Sequence, residues 1–244
     1  TKYSVFTTNS KHNIVVDGAY LSKDDALGNV VTPLMLEHGE YEIEEFITPS
    51  GFLALENPVQ FTIGEYIDLT KDIDGDPVVT VEIKNEQPKA EIKLDKTVTD
   101  LDTDTDLVDR SDLSKIHYVL KASKDIYSPI DGELMFAKDS VITTENSGAK
   151  VVAGSEIGDG VYALSKDGHL DITNLPMGTN KTSYYLQEVQ TLDGCVLDDT
   201  KQEATFEQKD FTTKLYTETI KMNNETTHFE FNKTDVTGDK EVPG

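Results

Sequence analysis

The sequence predicts an all-β protein built of sandwiches. Short runs rich in Val, Ile, Thr, Tyr and Phe alternate with polar residues at period two, as in VVTVEI at 78–83, AEIKL at 90–94 and KLYTETI at 214–220. Turn signals separate them, among them DGDP at 74–77 and KDGH at 166–169. Helical periodicity is scarce, with SKDDAL at 22–27 expected to form one short helical turn. At 244 residues the chain can bury a sizeable core in one or two domains.

An internal repeat sets the domain order. YEIEEFITPSGFLAL at 41–55 matches YYLQEVQTLDGCVLD at 184–198, aligning Tyr41 with Tyr184, Glu45 with Glu188 and Gly51 with Gly194. An Asn-containing segment follows each copy: EIKNEQP at 82–88, with Asn85, and IKMNNETT at 220–227, with Asn223 and Asn224. IKLDKTVTD at 92–100 matches FEFNKTDVTG at 229–238. Lys96 falls on the face of Ile92 and Leu94, and Lys233 on the face of Phe229 and Phe231. The expected organisation is a first domain over 1–88 that lacks an opening Lys strand, a complete domain with an insertion over 89–227, and over 228–244 the first strand of a following domain or a donor strand for a neighbouring molecule.

The net charge of -24 argues against nucleic acid and anionic membrane as partners, since both repel it. No long apolar run suggests a membrane span. The single cysteine, Cys195, excludes an internal disulfide and reads as a small hydrophobe. DLDTDTDLVD at 100–109 invites a calcium reading. Counted from Asp100, however, Thr105 and Ser111 stand where an EF-hand loop needs Gly and Glu, so a solvated acidic turn is the better reading. His12, His38, His117, His169 and His228 lack metal-ligand spacing, and no metal or cofactor is expected. Glu44 and Glu45 are adjacent on a strand and point to opposite faces, so they cannot flank one glycosidic bond. No nucleophile elbow or phosphate loop is present. The N-x-T triplets at Asn180 and Asn224 are weak signals.

DGHLDITNLPMGTNKTSYYLQEVQTLDGCVLD at 167–198 resembles the collagen-adhesin B-type (Cna B-type, SpaA-like, prealbumin-like) domains of Gram-positive surface proteins and pilins. SKIHYVLKASKDIYSPIDGEL at 114–134 is similar to that family's second strand and following insertion, and KTDVTGDKEVPG at 233–244 to its first strand and turn. The resemblance implies two Ig-like, prealbumin-like sandwiches in tandem, on the cell wall of a Gram-positive bacterium. It implies an intramolecular isopeptide bond with Lys96 as amine, Asn224 as acyl donor and Glu188 as acid/base, although Asn223 could take the donor place. In the first domain Glu45 and Asn85 match and the amine does not.

TKYSVFTT at 1–8 resembles a second strand, so the tail would run cyclically into it. Lys233 would then meet Asn85 and Glu45 of a neighbouring copy by strand addition; the competing reading of 228–244 is a plain terminal tail. The implied role is a structural stalk segment that works on itself once and is no turnover enzyme, with copies of itself as partners. The alternative is a module binding host matrix protein or glycan. Against the bond stand two simpler readings of Lys96: an edge-strand lysine, or half of a buried ion pair.

The chemistry needs these residue types. A charged lysine cannot attack a carbonyl, and burial among apolar groups favours the neutral amine beside a protonated carboxyl. That carboxyl can polarise the amide and carry a proton to departing ammonia. Folding supplies the proximity.

Overall fold

The computed structural model describes residues 7–8, 14–16, 19–22, 37–65, 69–71, 77–99, 108–179, 181–227 and 233. Nearly all the regular structure is β, as expected. Two compact units are present: Thr1–Phe46 with Leu55–Asn85, and Ile47–Ala54 with Glu86–Gly244.

Among the described residues, the first unit carries three small antiparallel sheets. Ile14–Val16 lies between Thr7–Thr8 and Ala19–Ser22, Gly39–Ile43 pairs with Val59–Ile63, and Thr70–Lys71 pairs with Pro77–Val78. The strand expected over 78–83 ends at Val78. Its alternation persists, with Val79 and Val81 half-buried between exposed Thr80 and Glu82, but residues 79–88 join no ladder. Apolar alternation describes a pleated surface; it becomes a strand only where a neighbour accepts the backbone hydrogen bonds. The helical turn expected at 22–27 lies outside the described residues apart from Ser22, which closes a strand. Residues 100–107 of the acidic stretch, Asn180, and 228–244 apart from Lys233 also lie outside them.

The second unit is a sandwich. Its four-stranded sheet runs Lys150–Ala153, His169–Pro176, Lys89–Thr99 and Leu215–Glu225. The five-stranded sheet runs Ser155–Gly158, Val161–Ala163, His117–Ala122, Thr182–Gln190 and Gln202–Phe206. Lys89–Thr99, the lysine strand, alternates half-buried and buried residues, so Ala90, Ile92, Leu94, Lys96 and Val98 point inward. Leu215–Glu225, the asparagine strand, runs parallel to it in unbroken register from Leu215 opposite Lys89 to Glu225 opposite Thr99. Ile92, Leu94, Leu170 and Ile172 from this sheet share one core with Tyr118, Leu120, Tyr184 and Leu186 from the other.

The repeat seen in the sequence has a structural counterpart. Gly39–Ile43 and Thr182–Gln190 each pair with the strand that follows, and Gly51 and Gly194 lie in the intervening loops at φ +90 and +85. Tyr41 stacks on Phe61 at 5.4 Å, and Tyr184 sits 6.5 Å from Phe206.

The KDGH turn forms where expected. Gly168 has φ +91 and donates to the Ser165 carbonyl, and its own carbonyl accepts from the Lys96 amide at 2.8 Å. A Cβ at this position would stand 2.4 Å from the Lys96 carbonyl oxygen. Gly168→Ala is therefore expected to cost about 1–3 kcal/mol from backbone strain alone, and more from displacing the lysine strand. Denaturant unfolding measures it.

Candidate functional site

Lys96, Glu188 and Asn224 come from three strands and meet inside the second unit. They are 3%, 1% and 1% exposed. Strand pleat and register bring them there. Lys96 stands opposite Met222 and Asn224 opposite Val98, so lysine and asparagine are diagonal neighbours on the inward face of one sheet. Glu188 projects from the facing sheet, directly opposite Tyr118 in its own ladder.

The contacts are short. Lys96 Nζ donates to Asn224 Oδ1 at 2.6 Å and to Glu188 Oε2 at 2.6 Å. Asn224 Nδ2 donates to Glu188 Oε1 at 2.6 Å and to Thr191 Oγ1 at 2.7 Å. The Tyr118 hydroxyl donates to Glu188 Oε2 at 2.8 Å, and the Lys96 ammonium lies 5.7 Å from the Tyr118 ring centroid. Burial, reinforced by the neighbouring Glu188 carboxylate, pushes the Tyr118 phenol well above its ordinary pKa, which keeps it a donor. The carboxyl of Glu188 thus bridges both nitrogens, with each oxygen engaged.

Lys96 is not an edge lysine: its strand has neighbours on both sides. Asn223 and Asn224 face opposite ways. Asn223 is exposed and bonds Thr97 and Thr99 on the outer surface, each at 2.9 Å, while Asn224 reaches the amine. The inward phase was legible in Ile220, Met222 and Asn224, three residues at period two. Sequence reasoning missed Tyr118 and Thr191. Tyr118 lies within a stretch recognised as a strand, but only ladder register reveals that it opposes Glu188.

No protein-family model and no curated protein matches the chain. Its solved structural neighbours include Gram-positive pilins and a pilus-presented adhesin. The Bacillus anthracis TIE protein is 15% identical, with TM-score 0.42, over 78% of this chain and 26% of that one. The minor pilin GBS52 of Streptococcus agalactiae is 18% identical, with TM-score 0.34, over 62% of this chain and 51% of that one. A streptococcal ancillary pilin is 16% identical, with TM-score 0.33, over 78% of this chain and 46% of that one. The chain therefore spans about a quarter to a half of the length of these solved chains.

The first unit brings together two of the expected residues. Asn85 Nδ2 donates to Glu45 Oε1 at 2.8 Å, and Glu45 Oε2 accepts from the Leu55 amide at 3.1 Å. Both residues are half-buried, unlike the sealed Glu188 and Asn224, while Glu44 is exposed. Lys233 is exposed and outside any strand. Cys195 is half-buried against the second unit's core. His169 pairs with Asp95 at 2.8 Å on an exposed face.

Proposed function

We propose that the chain is a structural stalk segment of a Gram-positive cell-surface adhesin or pilin, and that its second unit closes itself with an isopeptide bond between Lys96 and Asn224. The observation that carries this reading is the sealed triad, with amine, amide and acid in mutual contact at 2.6 Å. A buried ion pair held only for stability is a poor solution, because desolvating two charges offsets most of their attraction. A third reactive group placed between the charges gives the pair a use.

The steps balance. A proton passes from Lys96 Nζ to Glu188, leaving a neutral amine. The nitrogen lone pair forms a bond to the side-chain carbonyl carbon of Asn224. The bond from that carbon to Nδ2 breaks, and its electron pair stays on nitrogen. Glu188 gives a proton to the departing nitrogen and takes one from the attacking nitrogen. The products are a secondary amide and ammonia, and the proton first taken from Lys96 remains on Glu188, which ends as the neutral acid. Each molecule reacts once, so there is no turnover.

The finer reading extends to assembly. Glu45 and Asn85 pair as acid and amide, as Glu188 and Asn224 do, and Lys233 of a neighbouring copy is the amine assigned to join them. Partners are then copies of the same chain, joined head to tail on the bacterial exterior.

The intact mass of the denatured chain tests both parts. The expected mass is one ammonia below that of the sequence, with a linked peptide pair mapping to Lys96 and Asn224. Multimers that survive denaturation, linked through Lys233 and Asn85, support assembly. An unshifted mass overturns the bond.

A further inference from the structure

We propose that Thr191 is a further catalytic residue of this self-reaction: the acceptor that holds the departing nitrogen of Asn224 and passes ammonia to solvent. The inference rests on the proposed Lys96–Asn224 reaction and adds a residue to it.

Asn224 Nδ2 has two hydrogens. One goes to Glu188 Oε1 at 2.6 Å, and the other to Thr191 Oγ1 at 2.7 Å. Glu188 is the proton carrier, and an alcohol is far too weak an acid to compete with it, so Thr191 serves this nitrogen as an acceptor. Its oxygen is free to accept throughout. As the carbon–nitrogen bond breaks, the nitrogen gains a proton and takes on positive charge. An oxygen already aimed at it stabilises that change without reorganising.

Position supports the same role. Lys96, Tyr118, Glu188 and Asn224 are buried, whereas Thr191 is half-buried, just past the end of the Thr182–Gln190 strand. Among the described residues that hydrogen-bond to the three reacting side chains, Tyr118 is buried and Thr191 is half-buried. The leaving nitrogen therefore points toward the less buried of these two neighbours. The attacking amine sits on the other end of the amide, at Oδ1.

The experiment follows ammonia loss by intact mass in pulse-labelled, freshly synthesised protein. Thr191→Val keeps the shape and removes the acceptor; Thr191→Ser keeps the acceptor. Thr191→Val is expected to slow ammonia loss by about 10- to 100-fold, the range for a lost hydrogen bond to a charged group. Thr191→Ser is expected to stay within about threefold of the parent, well inside one ordinary hydrogen bond's worth. Circular dichroism checks that each variant folds. If Thr191→Val is unfolded, Thr191→Ala against Thr191→Ser makes the same comparison.

A parent chain that never loses ammonia overturns the proposed bond itself. A parent that reacts, with Thr191→Val keeping pace, overturns only the role of Thr191. So does equal slowing of the Ser and Val variants, because a packing defect rather than a lost acceptor would explain it.

Discussion

Lys96→Ala is expected to keep the full mass of its sequence and to melt far below the parent chain. Two effects add. The cross-link joins residues separated by 128 positions, and by analogy with disulfides a loop of that size restrains the unfolded chain by on the order of 5 kcal/mol. In the linked parent Lys96 is a neutral amide, so no ion pair is lost; truncation to Ala instead leaves a cavity where the buried lysine stem packed, which costs about 2–5 kcal/mol for large-to-small changes in a core. The sum is comparable with the whole stability of an ordinary domain, about 5–15 kcal/mol. A fall in melting temperature of about 20 °C follows for a unit of this size. The double variant Lys96→Met with Glu188→Gln separates the terms. It removes both charges and keeps most of the volume, so its fall reports the cross-link alone and should be about half as large. Calorimetry of the three proteins makes the comparison. Equal melting of the double variant and the parent would sink the cross-link.

The second large effect appears under force. The lysine and asparagine strands are the first and last of the sandwich, pair in parallel, and carry the bond partners near their ends. A load applied to the two ends of the second unit therefore passes into Lys96 and Asn224, and the strand segment Lys89–Asp95, with Ala90, Ile92 and Leu94 of the core, is strained ahead of the link. With the bond in place, the chain between them carries no tension and stays folded. Glu188→Gln keeps the shape of the acid but cannot carry its proton. The bond should not form, and the same pull should release the hidden segment. For a separation of 128 residues that is roughly 430 Å of extra extension, at about 3.4 Å per residue. Single-molecule pulling reads this length directly. A parent chain that extends as far as the variant would show that no covalent path exists.

Much of the second unit was legible in the sequence because its strands report their own phase. Ile92, Leu94 and Lys96 share a face in the sequence and in the sandwich. Glu188 follows Tyr184 and Leu186 at period two, and all three are buried. What stayed hidden depends on pairing. The opposition of Tyr118 and Glu188 is set by how two strands align, and neither strand alone reports it. The approach of Thr191 to Asn224 depends on the spacing between sheets. The first unit was harder to read for the same reason. The alternation at 79–82 is real, but β-propensity says nothing of whether a partner lies alongside. The short helix at Thr144–Ser147 escaped notice because four residues show no period; only its cap, Thr143 with Asn146, carried a signal.

The site draws its members from both sheets, and this gives the chemistry a memory. Lysine and asparagine meet only if the first and last strands pair in register, and the acid reaches them only if the facing sheet has stacked. A one-residue slip turns Asn224 outward and Asn223 inward, at a different height along the strand. In the proposed reading, then, the bond forms only in molecules that have completed the fold, and it outlasts any later unfolding. Heating or extraction would erase the shape and leave the covalent formula intact. A population of these chains would carry, in its mass spectrum, a count of how many had once folded correctly.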